Sequence, residues 1–200
     1  MIVKDVIKLV STMLDLDDVT SALNSGYTSS DNIDDDSGEV TFSDDVISEI
    51  NLLITSYNLT ANIIATNYLE IVDSIIKESD GKIYYKDICD GKVFLSVKGI
   101  YDLDDNKVDY SLSHDGINVP VGKYKVKIAL FPEDKTLEDE ISEFPMVISE
   151  KILAFGVASE YLLIKGDIDT ASVYDLRFKQ NLLDATRPRR EIKLKARRFV

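Results

Sequence analysis

The spacing of apolar residues changes twice along this chain, and these changes constrain its fold more than any other feature. Between residues 43 and 79, apolar side chains recur at intervals of three and four, which predicts a long helix. Between residues 82 and 131, they alternate with polar side chains in short runs, which is typical of strands. After Pro145 the helical spacing returns. The chain is therefore predicted to form helices, a strand-rich block and helices again.

The long helix is predicted to begin near Ser43, because the acids Asp44 and Asp45 favour a helix N-terminus. It is predicted to end at residues 79–81, where serine, aspartate and glycine follow one another. We interpret its apolar stripe as intramolecular core, with a partly intersubunit stripe as the alternative. The stripe consists of Val46, Ile50, Leu53, Tyr57, Ala61, Ile64, Tyr68, Ile71 and Ile75.

The other elements are shorter. Helices at residues 2–15 and 17–24 and a polar loop at residues 25–41 are predicted before the long helix. Four or five antiparallel strands are predicted between residues 82 and 131, because turn residues separate the apolar runs and Pro132 ends the last one. Two further helices are predicted, one with Pro145 in its first turn and Gly166 at its end, and one through Ala171 and Leu182. The link between them is so short that they should form an antiparallel hairpin.

These elements predict an α+β fold. A helical bundle, made of the long central helix and the C-terminal helical hairpin, would carry an inserted antiparallel β-rich domain and an extended C-terminal tail. The predicted parts are an N-terminal helical part (residues 1–80), the inserted β domain (81–142), the hairpin packing on the N-terminal helices (143–186) and a basic docking tail (187–200).

No pattern of residues in the sequence predicts a catalytic site or a cofactor. Phosphate-binding glycine loops, nucleophile elbows and paired-histidine metal motifs are all missing. The single histidine, His114, precedes an Asp-Gly turn and is interpreted as a solvated hairpin residue. The single cysteine, Cys89, adjoins Asp90 and is interpreted as a small apolar residue, which fits a reducing cytoplasm. The chain is therefore predicted not to be an enzyme.

An acidic loop offers the one candidate metal site, for calcium. Asp34, Asp36 and Asp45 occupy the first, third and twelfth positions of a calcium-loop pattern, but Gly38 is fifth where the pattern needs a sixth-position glycine. We interpret the segment as a solvated loop. A calcium-binding module or small hydrolase that uses this loop and the strand-rich block is the alternative. The longest apolar stretch, residues 47–76, is interrupted by seven acidic or asparagine side chains, so no membrane span is predicted.

Charge is distributed very unevenly along the chain, whose net charge is −13. Residues 187–200 hold seven basic side chains and one acid, whereas the preceding residues hold sixteen basic and thirty-five acidic ones. In this tail Ile192, Leu194 and Ala196 alternate with charged residues, which predicts a strand added to a partner's sheet. A disordered basic end and a contact with nucleic-acid phosphates are the alternatives. The apolar alternation favours a protein partner, since phosphate binding does not need it.

Three segments together resemble a known family. They are residues 119–126 (VPVGKYKV) with Phe131 and Pro132, residues 152–161 (ILAFGVASEY) followed by residues 171–178, and the terminal ARRFV of residues 196–200. They resemble head–tail connector (adaptor) proteins of tailed phages, including the tail tubular protein A type. The resemblance covers mainly residues 119–200, and the first hundred residues match only in pattern.

The resemblance implies a structural protein of the virion neck, made in the host cytoplasm. Such subunits form a homo-oligomeric ring, often dodecameric, that joins the portal protein to tail or neck proteins while DNA passes through without sequence-specific binding. A C-terminal segment commonly reaches the portal. Carried over by position, the partner-binding candidates are Arg187, Arg189, Arg190, Lys193, Lys195, Arg197, Arg198 and Phe199. Another neck or tail component, such as a tail terminator, is the alternative.

Overall fold

The computed structural model describes residues 1–28, 42–89 and 91–187. Within these ranges the protein is of the α+β class, with six helices and two small antiparallel sheets. The helices are α1 (Val3–Met13), α2 (Asp17–Asn24), α3 (Asp44–Asn67), α4 (Tyr85–Cys89), α5 (Glu150–Lys165) and α6 (Ile168–Thr186). The strands are β1 (Ile71–Ser79), β2 (Lys82–Tyr84), β3 (Phe94–Tyr101), β4 (Ser111–Leu112), β5 (Gly116–Asn118) and β6 (Gly122–Leu130).

Helices from both ends of the chain share one buried apolar cluster. Helix α3 begins where predicted, because the Ser43 hydroxyl accepts a hydrogen bond from the Val46 amide. Its buried face packs against α5, and α1 also packs against α5. The cluster includes Val6 and Val10 of α1, Leu53 and Ile64 of α3, Leu153 and Val157 of α5, and Phe178 and Leu182 of α6. None of these helices is both long enough and apolar enough to cross a bilayer.

The predicted long helix is wrong over its last third. Helix α3 ends at Asn67, where the amides of Tyr68 and Leu69 both donate to the Ile64 carbonyl, and residues 71–79 form strand β1. The four-residue spacing of Ile71 and Ile75 places them on one face of either a helix or a strand. Strand β6 decides between the two, because it pairs with β1 along its whole length. Isoleucine-rich segments also fit a pleated, half-buried surface well.

Strand β6 lies at the centre of the larger sheet, whose order is β1–β6–β3. Its residues alternate: Tyr124, Val126, Ile128 and Leu130 are buried in a second apolar cluster, whereas Lys123, Lys125 and Lys127 lie on the opposite face. The smaller sheet has the order β2–β5–β4. The predicted strand-rich block is therefore confirmed, with five strands between residues 82 and 131, but the short helix α4 was not predicted.

The C-terminal helices form the predicted antiparallel hairpin. Gly166 ends α5 in the left-handed conformation (φ 86°), as the sequence indicated. Ser159 of α5 donates to the Ala171 carbonyl of α6, and Gly156 lies against Phe178, so residues progressively farther from the connection meet. Pro145 does not lie in the first turn of this helix as predicted: the Ile148 amide donates to the Pro145 carbonyl in a separate turn, and α5 begins at Glu150.

Candidate interaction surfaces

Most of the predicted docking tail lies outside the described residues. Arg187 is the exception: it is exposed directly after α6, and its guanidinium lies 3.7 Å from the Asp184 carboxylate. The other candidates, which lie outside the described ranges, are Arg189, Arg190, Lys193, Lys195, Arg197, Arg198 and Phe199. Their docking role stays a prediction.

The calcium candidates divide in the same way. Asp34 and Asp36 lie outside the described residues, whereas Asp45 is exposed in the first turn of α3. Among residues 1–28, 42–89 and 91–187, no group of three or more histidine, cysteine or acidic side chains is arranged to hold a metal ion. His114 is exposed beside the turn between β4 and β5, in agreement with its interpretation as a solvated residue.

A groove of ≈ 480 Å³ lies between the α1–α2 turn and the first two turns of α3. Five carboxylates line it, together with three apolar side chains that form its floor. Several of these acids lie in the first turns of α2 and α3, where aspartate is stabilised by the positive end of the helix dipole. We call this surface the acidic groove and define it by Asp15, Asp17, Asp18, Asp45 and Glu49.

Glu49 fixes one wall of the acidic groove to α5. Its carboxylate accepts hydrogen bonds from the Tyr161 hydroxyl and from the Lys165 ammonium, the latter at 2.7 Å. Partial burial of Glu49 opposes its ionisation, but these two hydrogen bonds outweigh burial and lower the pKa of the Glu49 carboxyl. Burial and the same contact raise the pKa of the Tyr161 phenol. The contacts with α5 therefore favour the charged form of Glu49.

The outer face of the larger sheet carries the opposite charge. Lys123, Lys125 and Lys127 occupy alternate positions of β6 on this face. The Tyr101 ring lies over Gly99, where an added Cβ would come within 3.1 Å of it, and the Lys127 ammonium is 4.5 Å from the ring centroid. Ile76 on β1 is opposite Lys125 and is 63% exposed. We call this surface the lysine face and define it by Lys123, Lys125, Lys127, Tyr101 and Ile76.

Helix α6 is apolar on two opposite faces. Ala171, Phe178 and Leu182 are buried in the helical cluster or beside it. Val173, Leu176 and Leu183 follow each other at helical spacing on the other side, and Leu176 is 57% exposed. We call this second row, Val173, Leu176 and Leu183, the α6 outer stripe.

A second cavity, of ≈ 610 Å³, opens between α3 and the segment after β6. Its polar side chains are Asn62, whose buried Oδ1 has no hydrogen-bond partner within the described structure, Asp134, and the ion pair between Lys92 and Glu133 at 3.6 Å. The cavity offers polar contacts to a ligand. It does not combine a nucleophile with a general base among the described side chains.

Two of these surfaces have a pattern that could be recognised in the sequence. The alternating lysines of β6 and the helical spacing of Val173, Leu176 and Leu183 are both visible in it. Neither was identified as a binding surface, because which face of an element is buried depends on its tertiary neighbours. The pairing of Ile76 and Tyr101 with Lys125 depends on the register of three strands, which no local pattern specifies. No protein-family model matches the sequence, and a search of curated proteins also gave no match.

Proposed function

We propose that this chain is a structural subunit of a phage head–tail junction. In this proposal, copies form a dodecameric ring between the portal and the tail, and DNA passes through its centre. The helices act as a bundle that carries the β-rich part as an insertion. The basic C-terminal tail docks on the portal protein, and the chain performs no catalysis of its own.

The observation that carries the proposal is the second apolar face of α6. One row of a surface helix normally packs on its own core while the opposite row is polar. Here the outer row exposes Val173, Leu176 and Leu183 in a chain with 30% charged residues. Isolated exposed leucines need no explanation, but a helical row of them favours burial against another protein. This supports a role in assembly.

Two of the three segments that carry the family resemblance fall on packed elements. Residues 119–132 include the central strand β6, and residues 152–161 and 171–178 are the facing parts of α5 and α6. These two segments contribute residues to the two apolar clusters, whereas the third, residues 196–200, lies outside the described residues. This supports similarity of fold, and the junction role is inferred from it.

The proposal is tested by removing residues 188–200 and measuring binding to the portal protein of the same genome by sedimentation. We expect the truncated chain to unfold at the wild-type temperature, within about 2 °C, because Arg187 and all of α6 remain. We expect it to lose portal binding.

Two full-length variants separate the contributions to docking. Replacing Ile192 and Leu194 with serine keeps every tail charge but removes the apolar alternation. Replacing the tail lysines and arginines with glutamine removes the positive charge but keeps the apolar alternation. Added-strand docking predicts that both changes weaken binding. A truncated chain that binds portal with wild-type affinity would refute the docking role. Crosslinks to the tail tube without any to portal would assign the chain to a tail terminator instead.

A further inference from the structure

We infer that neighbouring copies of this chain contact each other head to tail, the lysine face of one copy lying in the acidic groove of the next. The inference rests on the proposed ring and names the two surfaces that would build it. Both surfaces belong to described residues, and neither includes the C-terminal tail.

Most of the lysine side chains on the lysine face are held in position by their neighbours. Lys125 is held 3.2 Å from Asp105, and Lys127 is held over the Tyr101 ring, so two of its three ammonium groups are positioned. Lys123 is exposed, and no carboxylate of the described residues lies within 4.0 Å of its ammonium. Positioned side chains lose less conformational entropy on binding than free ones do. Ile76 adds exposed apolar area to the same face.

The acidic groove is the complement of this surface. Asp15, Asp17, Asp18 and Asp45 are all exposed. In the described part of the chain, none of these four carboxylates lies within 4.0 Å of a lysine or arginine nitrogen. Leu16 and Val46, which are both partly exposed, supply apolar surface between the acids. The groove therefore offers unneutralised negative charge around an apolar floor, while the lysine face offers positive charge around Ile76.

A protein partner fits the lysine face better than a nucleic acid does. Asp105 lies within the face, and Glu78 is opposite Lys123 on β1, so the face is not the continuous basic stripe that is typical of nucleic-acid-binding surfaces. Ile76 gains from burial against apolar side chains but not from a phosphate contact. A second copy supplies both the acids and the apolar floor.

Two different surfaces on one chain give an assembly of defined geometry. When surface A of each copy binds surface B of the next, the contact is heterologous, and copies close into a ring if the rotation between them permits. An isologous dimer would instead place the lysine face against itself, which like charges oppose. Head-to-tail contact is thus the arrangement that satisfies both surfaces.

Charge reversal tests this contact directly. One variant carries Lys123→Glu and Lys127→Glu, and a second carries Asp17→Lys and Asp18→Lys. Self-association of the full chain is measured by sedimentation at about 50 mM and about 500 mM salt, because screening should weaken the wild-type contact at the higher concentration. Each variant alone should associate at least about tenfold more weakly than wild type at low salt.

Mixing the two variants should restore association, because the reversed face of one then meets the reversed groove of the other. Restoration also shows that both variants are folded, which circular dichroism checks separately. The matched control carries Lys86→Glu and Lys151→Glu, which change the same charge at exposed lysines outside both surfaces. It should associate like the wild type.

Several results would overturn the inference. They are wild-type association of either reversed variant, a mixture that stays dissociated, and a wild-type chain that is monomeric even at low salt and high concentration. Loss of binding to a DNA duplex by the lysine variant, with unchanged self-association, would reassign the face to nucleic acid. Portal binding by the tail is measured independently. Rings that persist after charge reversal would refute this contact and leave the junction role intact. Failed portal docking would refute the docking role of the tail and leave this contact intact.

Discussion

Glu49 is the side chain that most directly links two elements of the helical part. It lies on α3 at the edge of the acidic groove, and its hydrogen bonds to Tyr161 and Lys165 reach α5. Hydrogen bonds to charged groups stabilise proteins more than neutral ones do. Glu49 therefore couples the position of the groove to the α3–α5 packing.

We predict that Glu49→Gln destabilises the protein by about 1–2 kcal/mol at pH 7, measured by urea unfolding. The lowered pKa of Glu49 in the folded state means that its contribution is present above the pKa of the unfolded chain. The contribution is lost as the pH falls through the folded-state pKa, so the wild type and the variant should converge in acid. Glu140→Gln, at an exposed position, is the control and should change little. An equal loss at acidic and neutral pH would mean that packing, not charge, is responsible.

Gly156 marks the closest approach of three helices. A Cβ added there would lie 2.4 Å from the Thr60 methyl of α3 and 3.0 Å from the Phe178 ring of α6. Such overlap must be relieved by shifting one of the three helices. The glycine is thus required by packing, although alanine has the higher helix propensity by about 1 kcal/mol.

We predict that Gly156→Ala lowers stability by about 1–2 kcal/mol, because overpacking costs more than the gain in helix propensity. Thr60→Ser removes the nearest methyl group and keeps the hydroxyl that donates to the Ser56 carbonyl. The cost of Gly156→Ala, measured by thermal unfolding, should therefore be smaller in the Thr60→Ser background. If Gly156→Ala stabilised the chain, the close packing described for this site would be wrong.

At the scale of elements, α6 has two apolar faces with different consequences. Its inner face completes the helical cluster with Phe178 and Leu182. Its outer stripe, Val173, Leu176 and Leu183, contributes nothing to that cluster. Folding therefore depends on the inner face of α6. In the proposed junction, assembly depends on the α6 outer stripe.

We predict that Leu176→Gln with Leu183→Gln leaves unfolding of the isolated chain within about 0.5 kcal/mol of the wild type, because both positions are exposed. Loss of two buried leucines from an interface should weaken it about tenfold or more, lowering the yield of tailed particles in a complementation assay. Leu182→Gln is the matched control on the inner face, where a buried polar group should destabilise the monomer by at least about 2 kcal/mol. Normal particle yield from the double variant would exclude the outer stripe from assembly.

The α3–β1 junction shows which element boundaries a sequence can predict. Ser43 and Gly166 were predicted correctly, because capping is a local interaction of a side chain or a left-handed residue with its own helix end. The change from α3 to β1 was missed, because the spacing of Ile71 and Ile75 suits both structures. Pairing with β6, about fifty residues later in the chain, makes the choice.

At the scale of the whole molecule, a chain with a net charge of −13 folds around two separate apolar clusters. One cluster joins α1, α2, α3, α5 and α6, and the other lies under the larger sheet. The β-rich elements follow α3 and precede α5, so the chain leaves the helical cluster once and returns to it. This arrangement presents the lysine face and the acidic groove on different elements of one molecule.

The sequence by itself determined the α+β class, the succession of helices, a strand-rich block and helices again, two helix ends and the uneven distribution of charge. These features depend on composition and on contacts between near neighbours in the chain, which local patterns record. Only the tertiary structure decided where α3 ends, which face of α6 remains exposed, and which side chains join Lys125 and Lys127 on one surface. Those outcomes depend on strand register and helix packing between residues far apart in sequence, and the burial that selects among them exists only in the folded chain.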